Sequence, residues 1–552
     1  MSNNLVHIVT RSVGARYTED WDLLVGDKDY YTVDELAEIY PNVLEEDDIP
    51  FLMDTDSYKL SHPDSYPEAK SMTAYFTFRG PFEFKDQRIN FVGARYAYEK
   101  IFSRRVTWFD IAQADAYTAK HSAGGTQFAW PRDLWIRVIN ELGGALPFTV
   151  KALRDGETIY PQIPGFTVTA DEPYEDLVTW FETQLMRTWS PTTTATKSAH
   201  IENILREKFE LSVDEEQHWL LPYAMQDFGS RGTSSAETSM TSGMGYLSVF
   251  DGTDNIISAF LCTRYNNGVP VGQSVIASEH SVMTAWDSEE EALQHLIDIC
   301  PAGGIISVVA DSYDYVNFLW QVVPKFVDQL RAKNIKLVVR PDSGNPLECV
   351  LEGLRALESA FGAVKNKKGY KVIQGAAVLQ GDGIDIDMLA RIADAVYHAG
   401  YSAECVIYGM GGGLHQKQNR DTLKTAMKLC KVVLADGRVK LVAKAPKSDS
   451  SKGSLAGGMQ VNLVSGIPVV YPEIAHWEDK RLETDMLEII WDRGPVDYKF
   501  ETWAQVRERH QRTWKARPIR AEVVSAQMQE VTSKAISDIR ASIASRAAKA
   551  QG

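Results

Sequence analysis

Two segments, ISVVADSYD (306–314) and LVVRPDSGNP (337–346), decide the fold. Each is a run of Val, Ile or Leu that ends in an acid or an arginine and then yields to a helical pattern, the behaviour of a buried parallel strand. LQGDGID (379–385) and VIYGMGGGLHQ (406–416) repeat the form downstream. Helical spacing follows the strands in EEALQHLIDI (290–299), VNFLWQVVPKFVDQL (316–330), ECVLEGLRALESAF (348–361) and IDMLARIADAVYHAG (386–400). This βα alternation predicts an α/β class, either a barrel or a doubly wound sheet. In both, the strand C-termini share one face, and the active site lies there.

Working outward, residues 181–435 are assigned to the barrel. Residues 49–180 and 436–515, with strand-like runs such as SMTAYFTFRG, FTVKAL and MLEIIWD, are assigned to a discontinuous, interleaved α+β domain. The stretch from Thr179 to Glu210 is read as helices on both sides of Pro191. Residues 1–48, ending in an acidic run, form an N-terminal extension. Residues 516–552 form a C-terminal one, with an amphipathic helix predicted from Val524 to Ile543.

A length of 552 residues exceeds one usual core, so two domains are expected. A net charge of -16 argues against nucleic acid as a partner. It also demands local cations, or a divalent metal, wherever a polyphosphate binds. No apolar run reaches the roughly 20 residues of a membrane helix. The N-terminus lacks a signal-peptide layout, and five scattered cysteines without CxxC spacing suit reduced thiols. These features predict a cytoplasmic enzyme that engages no membrane.

The candidate chemistry sits at strand ends. Asp311 and Asp342 either ligate a hard cation or ribose hydroxyls, or merely cap the next helix. Arg340, in a buried context, either pairs with a carboxylate or awaits a phosphate. Gly411, Gly412 and Gly413 either make a tight turn or leave backbone N–H groups for an anion, with a helix expected to start near His415 and to carry Arg420 one or two turns in. Gly381 and Asp382 form either a plain turn or an acid on a ligand loop. Phe228, in QDFGSRGTSS with Arg231, is either core or a stacking platform for a flat heterocycle. His280, in ASEHSVMTAW, is either a satisfied buried histidine or a nucleophile, base or phosphate ligand.

Five stretches together resemble the nicotinamide phosphoribosyltransferase family: DSYKLSHPDSYPEAKSMTAYFTFRG; QDFGSRGTSSAETS; FDGTDNI with SVIASEHSVMTAW; VVADSYD with VVRPDSGNPL; and LQGDGIDI with GMGGGLHQKQNRD. The resemblance runs in order over roughly residues 50–515. It implies a type II phosphoribosyltransferase fold, an irregular α/β barrel with an interleaved α+β domain, in a homodimer with shared active sites. It implies transfer of phosphoribose from 5-phosphoribosyl 1-diphosphate to nicotinamide with Mg²⁺ (candidate ligands Asp311 and Asp342), a step of NAD salvage. It implies ATP as an optional co-substrate through a phosphorylated His280.

By the same resemblance, Phe228 and the partner's Tyr58 sandwich the ring, Asp254 accepts the carboxamide N–H, and Ser274 lies near. Arg340 and Asp342 hold ribose and phosphate; Gly381, Asp382, Gly412 and Arg420 cradle the 5′-phosphate; Arg79, Arg231 and His280 face the diphosphate. Lys444, Lys447 and Lys452 are a further candidate phosphate contact. Gln226 departs from the family pattern, which has His there. The nearest alternative is a nicotinate phosphoribosyltransferase, against which the fixed carboxylate of Asp254 speaks, since it repels another carboxylate.

Overall fold

The structure, a computed structural model, describes residues 31–44, 49–446, 453–473 and 485–551. Lys447 and Lys452, and residues 1–30 and 45–48 of the N-terminal extension, lie outside the described residues.

Seven parallel strands form the central sheet: β1 (Met225–Asp227), β2 (Gly252–Thr253), β3 (Ile276–Ala277), β4 (Ile305–Val309), β5 (Lys336–Arg340), β6 (Ala376–Gln380) and β7 (Val406–Met410). Their order across the sheet is β2-β1-β7-β6-β5-β4-β3. Gly252 also bridges in parallel to Gln273, three residues ahead of β3, so the sheet curls until its edges meet. Alternate residues of β5 face opposite sides. Leu337 and Val339 join the main core beneath the helices, while Val338 packs with Ala377 and Leu379 in a small cluster of its own. That cluster fills the inside of the curl, and Phe228 and Ile407 pack against it.

The connecting helices begin and end where the chain dictates. Asn345 accepts from the N–H of Leu347 and Glu348 to start Pro346–Phe361, with proline in the first turn where its missing N–H costs nothing. Val350, Leu354, Leu357 and Phe361 give that helix a buried stripe, and Gly362 ends it at φ 77°. The segment 316–330 is more broken than its periodicity predicts: a π turn at 318–322, a 3₁₀ turn at 323–326 around Pro324, then Val327–Ala332. Pro191 does not separate two helices. It lies in the first turn of one continuous helix, Trp189–Ser212.

A second, six-stranded sheet contains Ala69–Phe78, Phe148–Ala152, Pro164–Asp171, Thr425–Leu434, Val439–Leu441 and Glu488–Asp492. The strand 425–434, read from sequence as the end of the barrel array, is paired antiparallel along the whole of 69–78. Its half-buried pattern suits a sheet covered on one face. In the other direction, helix Trp503–Ala516, assigned with the α+β domain, places Trp503, Val506 and Trp514 in the barrel's core. The C-terminal helix is Ala526–Gln551; Met528 and Ala535 are buried, while Ile543 is exposed, so only its first half docks.

Candidate active site

Each of the seven strands delivers a singled-out residue from its C-terminal end. Asp254 follows β2, Phe228 and Arg231 follow β1, Gly411 and Gly412 follow β7, and Gly381 and Asp382 follow β6. Arg340 ends β5 with Asp342 just beyond; Asp311 follows β4, and His280 follows β3. Sheet order therefore becomes the order of groups around one rim.

On one side of the rim the organiser is Asp227, a residue absent from the expected set. Its Oδ1 accepts from His415 Nε2 at 2.7 Å and from the Gly229 N–H at 2.8 Å, and both side chains are 0% exposed. Its Oδ2 lies 3.4 Å from Thr253 Oγ1 and Asn255 Nδ2, and its carbonyl accepts the N–H of Asp254 at 3.1 Å. One carboxylate thus ties together the loops bearing Phe228, Asp254 and the glycine turn. Phe228 lies across Gly381 and Gly409, where an added methyl would run into its ring. Ser274 Oγ donates to Asp254 Oδ1 at 2.6 Å, so those two residues meet as expected. A strand-ending acid was the criterion that selected Asp311. Applied to QDFG, it would have found Asp227.

Arg340 bridges to the other side. Among the described residues no carboxylate pairs with it. Its Nη2 approaches the Ser278 carbonyl at 3.5 Å, its Nε is buried without a partner, and its guanidinium lies 5.8 Å over Phe228. Of its two sequence readings, the one that awaits an anion is favoured.

The capping explanation for the two acids fails, because the caps are Asp314 and Asn345. Asp311 Oδ1 instead meets His280 Nε2 at 3.2 Å, and its Oδ2 accepts the Asp342 N–H at 3.0 Å and the Ser343 hydroxyl. His280 Nδ1 is 3.8 Å from Asp342 Oδ2, and the imidazole is 46% exposed. Burial lifts the nearby Glu289 carboxyl above its usual range, and the charge on Asp311 adds to the rise. Among the described residues no three of His, Cys, Asp or Glu gather as a metal cage. Both oxygens of Asp311 are engaged, which leaves Asp342 as the acid with room for a cation.

Three residues stand away from the rim. Arg420 does not ride a helix: the glycine turn continues only into the short helix Gly412–His415, and Arg420 lies in the turns that precede strand 425–434, exposed and paired with Asp421. Arg79, just past strand 69–78, donates to the Lys424 carbonyl at 3.2 Å. Tyr58 is 56% exposed; burial and Asp56 raise its phenol, while Arg420 opposes them. Among the described residues no ring contact joins Tyr58 to Phe228 in the chain. Lys428, missed in the sequence, sits with this group. Burial lowers its ammonium, and Arg79, Lys444 and Lys59 lower it further against the pull of Glu182. Arg231 is exposed in a 3₁₀ turn beside the glycine turn, with Gly232 packed on Gly412.

Comparison with known proteins fits this arrangement. Residues 223–473 match the nicotinate phosphoribosyltransferase (NAPRTase) family, and residues 50–150 match the nicotinamide phosphoribosyltransferase N-terminal domain. A nicotinamide phosphoribosyltransferase of Xanthomonas campestris pv. campestris is 36% identical over 414 residues, covering 74% of this chain and 86% of that protein. One from Mycoplasma pneumoniae is 29% identical over 333 residues, covering 56% and 71%. The fold is shared with the nicotinate-nucleotide pyrophosphorylase of Pyrococcus furiosus (TM-score 0.55, 16% identity, 84% of this chain and 94% of that one). It is shared too with human nicotinic acid phosphoribosyltransferase (TM-score 0.53, 17% identity, 87% and 99%).

Proposed function

The chain belongs to the nicotinamide phosphoribosyltransferase family, with the type II phosphoribosyltransferase fold, and we propose that it transfers 5-phosphoribose from 5-phosphoribosyl 1-diphosphate to nicotinamide, releasing diphosphate and the mononucleotide used in NAD salvage. The observation that carries this reading is the meeting of three features at one rim. They are an aromatic face (Phe228), a hydroxyl-held carboxylate (Asp254 with Ser274), and an arginine with a buried, unmatched N–H (Arg340).

Phe228 supplies the flat surface for the pyridine ring, and Arg340 above it draws the phosphorylated ribose in line with the ring nitrogen, so orientation lowers the barrier. As diphosphate leaves, the C1–O bond breaks, the ring nitrogen bonds C1, and positive charge passes from the ribose to the pyridinium. Arg79, Lys428 and Lys444, which stand with Tyr58 and Arg420, form a basic group suited to the departing anion at the rim of a second copy. The donor set suits magnesium held mainly by the diphosphate with Asp342 as protein ligand, and bound magnesium would neutralise leaving-group charge. Asp254 accepts the carboxamide N–H and repels the carboxylate of nicotinate.

Tyr58, exposed and without a ring contact to Phe228 in its own chain among the described residues, suits the rim of a second copy. Exposed apolar side chains beside Asp254 (Ile256 79%, Phe260 73%) support a homodimer through that face. The half-exposed His280, oriented by Asp311, suits transient phosphorylation by ATP. Five free cysteines suit a reducing cytoplasm. Among the described residues no helix is long and apolar enough to cross a membrane.

The test is to incubate the protein with labelled nicotinamide, the activated ribose and Mg²⁺, with and without ATP. Nicotinamide mononucleotide is expected, and its absence under every condition refutes the assignment. Nicotinamide should be used far better than nicotinate. Asp254→Ala should narrow that preference at least about tenfold, the scale of one charge contact; equal rates with the two bases in the wild type reject the assignment to nicotinamide.

A further inference from the structure

Lys197 is a buried cation with no counter-charge among the described residues. It lies on the Trp189–Ser212 helix, only 6% exposed, and its ammonium donates to the carbonyls of Gly413 at 2.8 Å and Leu414 at 3.5 Å, within the turn that follows β7. Among the described residues no carboxylate comes within ion-pair distance of it. On its own helix Glu202 is taken by Arg206, and at the rim Asp227 is taken by His415. The helix offers only hydroxyls around it: Thr193, Thr194, Thr196 and Ser198 are all buried, and Thr194 Oγ1 already accepts from Gln418. Burial lowers the ammonium to about 8, and the neighbouring Lys417 adds repulsion. A lone ammonium out of water is destabilising unless an anion joins it.

The turn it supports is open where an anion would enter. A methyl placed on Gly412 would meet nothing within 4 Å, whereas at Gly229 it would strike His415. The turn is thus bare at Gly412 and clasped at Gly413 and Leu414 by the cation. We propose that Lys197 is a positioning residue for the 5-phosphorylated ribose, fixing the Gly411–Gly413 turn and supplying positive potential that a phosphate monoester at the turn completes. This rests on the phosphoribosyl transfer argued above. Lys197 donates to main-chain carbonyls rather than to the reacting atoms, so its effect belongs in ribose-phosphate affinity.

Ribose 5-phosphate is the probe, and its dissociation constant is measured by calorimetry and by the shift it causes in unfolding temperature. In Lys197→Met that constant should weaken at least about tenfold, the size of one lost charge interaction, while KM for nicotinamide stays within about twofold. Lys197→Arg should recover most of the affinity. If Lys197→Met does not fold, Lys197→Gln, which keeps a donor for the Gly413 carbonyl without the charge, should show the same loss. Undiminished binding of ribose 5-phosphate in the uncharged variants overturns the proposal. So does an equal loss of both substrates, or a wild type that does not bind the probe. The binding measurement needs no turnover, so a wild type that binds ribose 5-phosphate yet forms no mononucleotide faults the reaction and leaves Lys197 to be judged separately.

Discussion

The rim carries the same device twice, to opposite ends. Asp227 and Asp311 each stand at the end of a β-strand, each accept a backbone N–H (Asp227 that of Gly229 in its own loop, Asp311 that of Asp342 in the loop after β5), and each meet a histidine Nε2 (at 2.7 and 3.2 Å). They differ in burial. Asp227 and His415 are closed off from water, whereas His280 is nearly half in it. Once buried, such a pair can only hold structure, because a change of charge away from water is costly. With its ring at the surface, the second pair keeps an orienting bond yet leaves the imidazole free to react. Burial, rather than residue type, separates the two pairs.

Removing the buried acid should have the largest effect. Asp227→Ala strands His415 Nε2 and the Gly229 N–H together, and breaking a buried pair costs ~3–5 kcal/mol. Chemical denaturation should show that loss; a change below ~1 kcal/mol would erase the contrast. A third histidine extends the comparison. His200 is buried between Phe82 and Trp514, and burial holds its imidazole down to about 4 despite Asp86. The unfolded chain binds that proton near 6.5, so the unfolded state carries more protons between the two values and stability falls as the solution is acidified. The contribution is complete above pH 6.5 and lost progressively toward pH 4, about 3 kcal/mol in all. Unfolding followed from pH 7 to 4 should show a slope that His200→Phe flattens.

Gly409→Ala should follow, at ~1–3 kcal/mol for an overpacked site. Its methyl displaces the Phe228 ring, so KM for the base should rise well beyond what the stability loss explains; an unchanged KM would place the platform elsewhere.

What could be read in the sequence follows the same division. Asp311, Asp342, Arg340 and Gly412 were legible because apolar runs ending in chemistry mark strand ends, and the parallel sheet then gathers those ends without further instruction. The pairing of Asp227 with His415 was hidden. It spans 188 residues, and only the neighbouring positions of β1 and β7 in the sheet bring them together. Lys197 was hidden for a similar reason, since a lysine in a Thr-rich helix reads as a solvated one until the helix is packed behind the turn. The placement of strand 425–434 with the α+β sheet was equally unreadable, because its Val, Leu and Met content suits either sheet and the choice is made by pairing with residues 69–78. Arg420 was misjudged through local reasoning alone. A glycine run before polar residues resembles a helix start, yet after Gln416 the chain makes turns leading into strand 425–434.

His280→Ala should be the mildest change to the fold and the most selective in function. The ring is half solvated, and its bonds to Asp311 and Asp342 are long, so the cost in stability should stay within ~0.5 kcal/mol, as for a surface position. Asp311 retains the Asp342 N–H and the Ser343 hydroxyl when the ring is gone, and the loop after β5 keeps its shape. If the exposed pair serves chemistry, mononucleotide formation without ATP should persist while stimulation by ATP disappears, and labelled γ-phosphate should no longer appear on the protein. A large loss of stability in this variant would make His280 a second His415, and the distinction drawn from burial would fail at the site where it matters most.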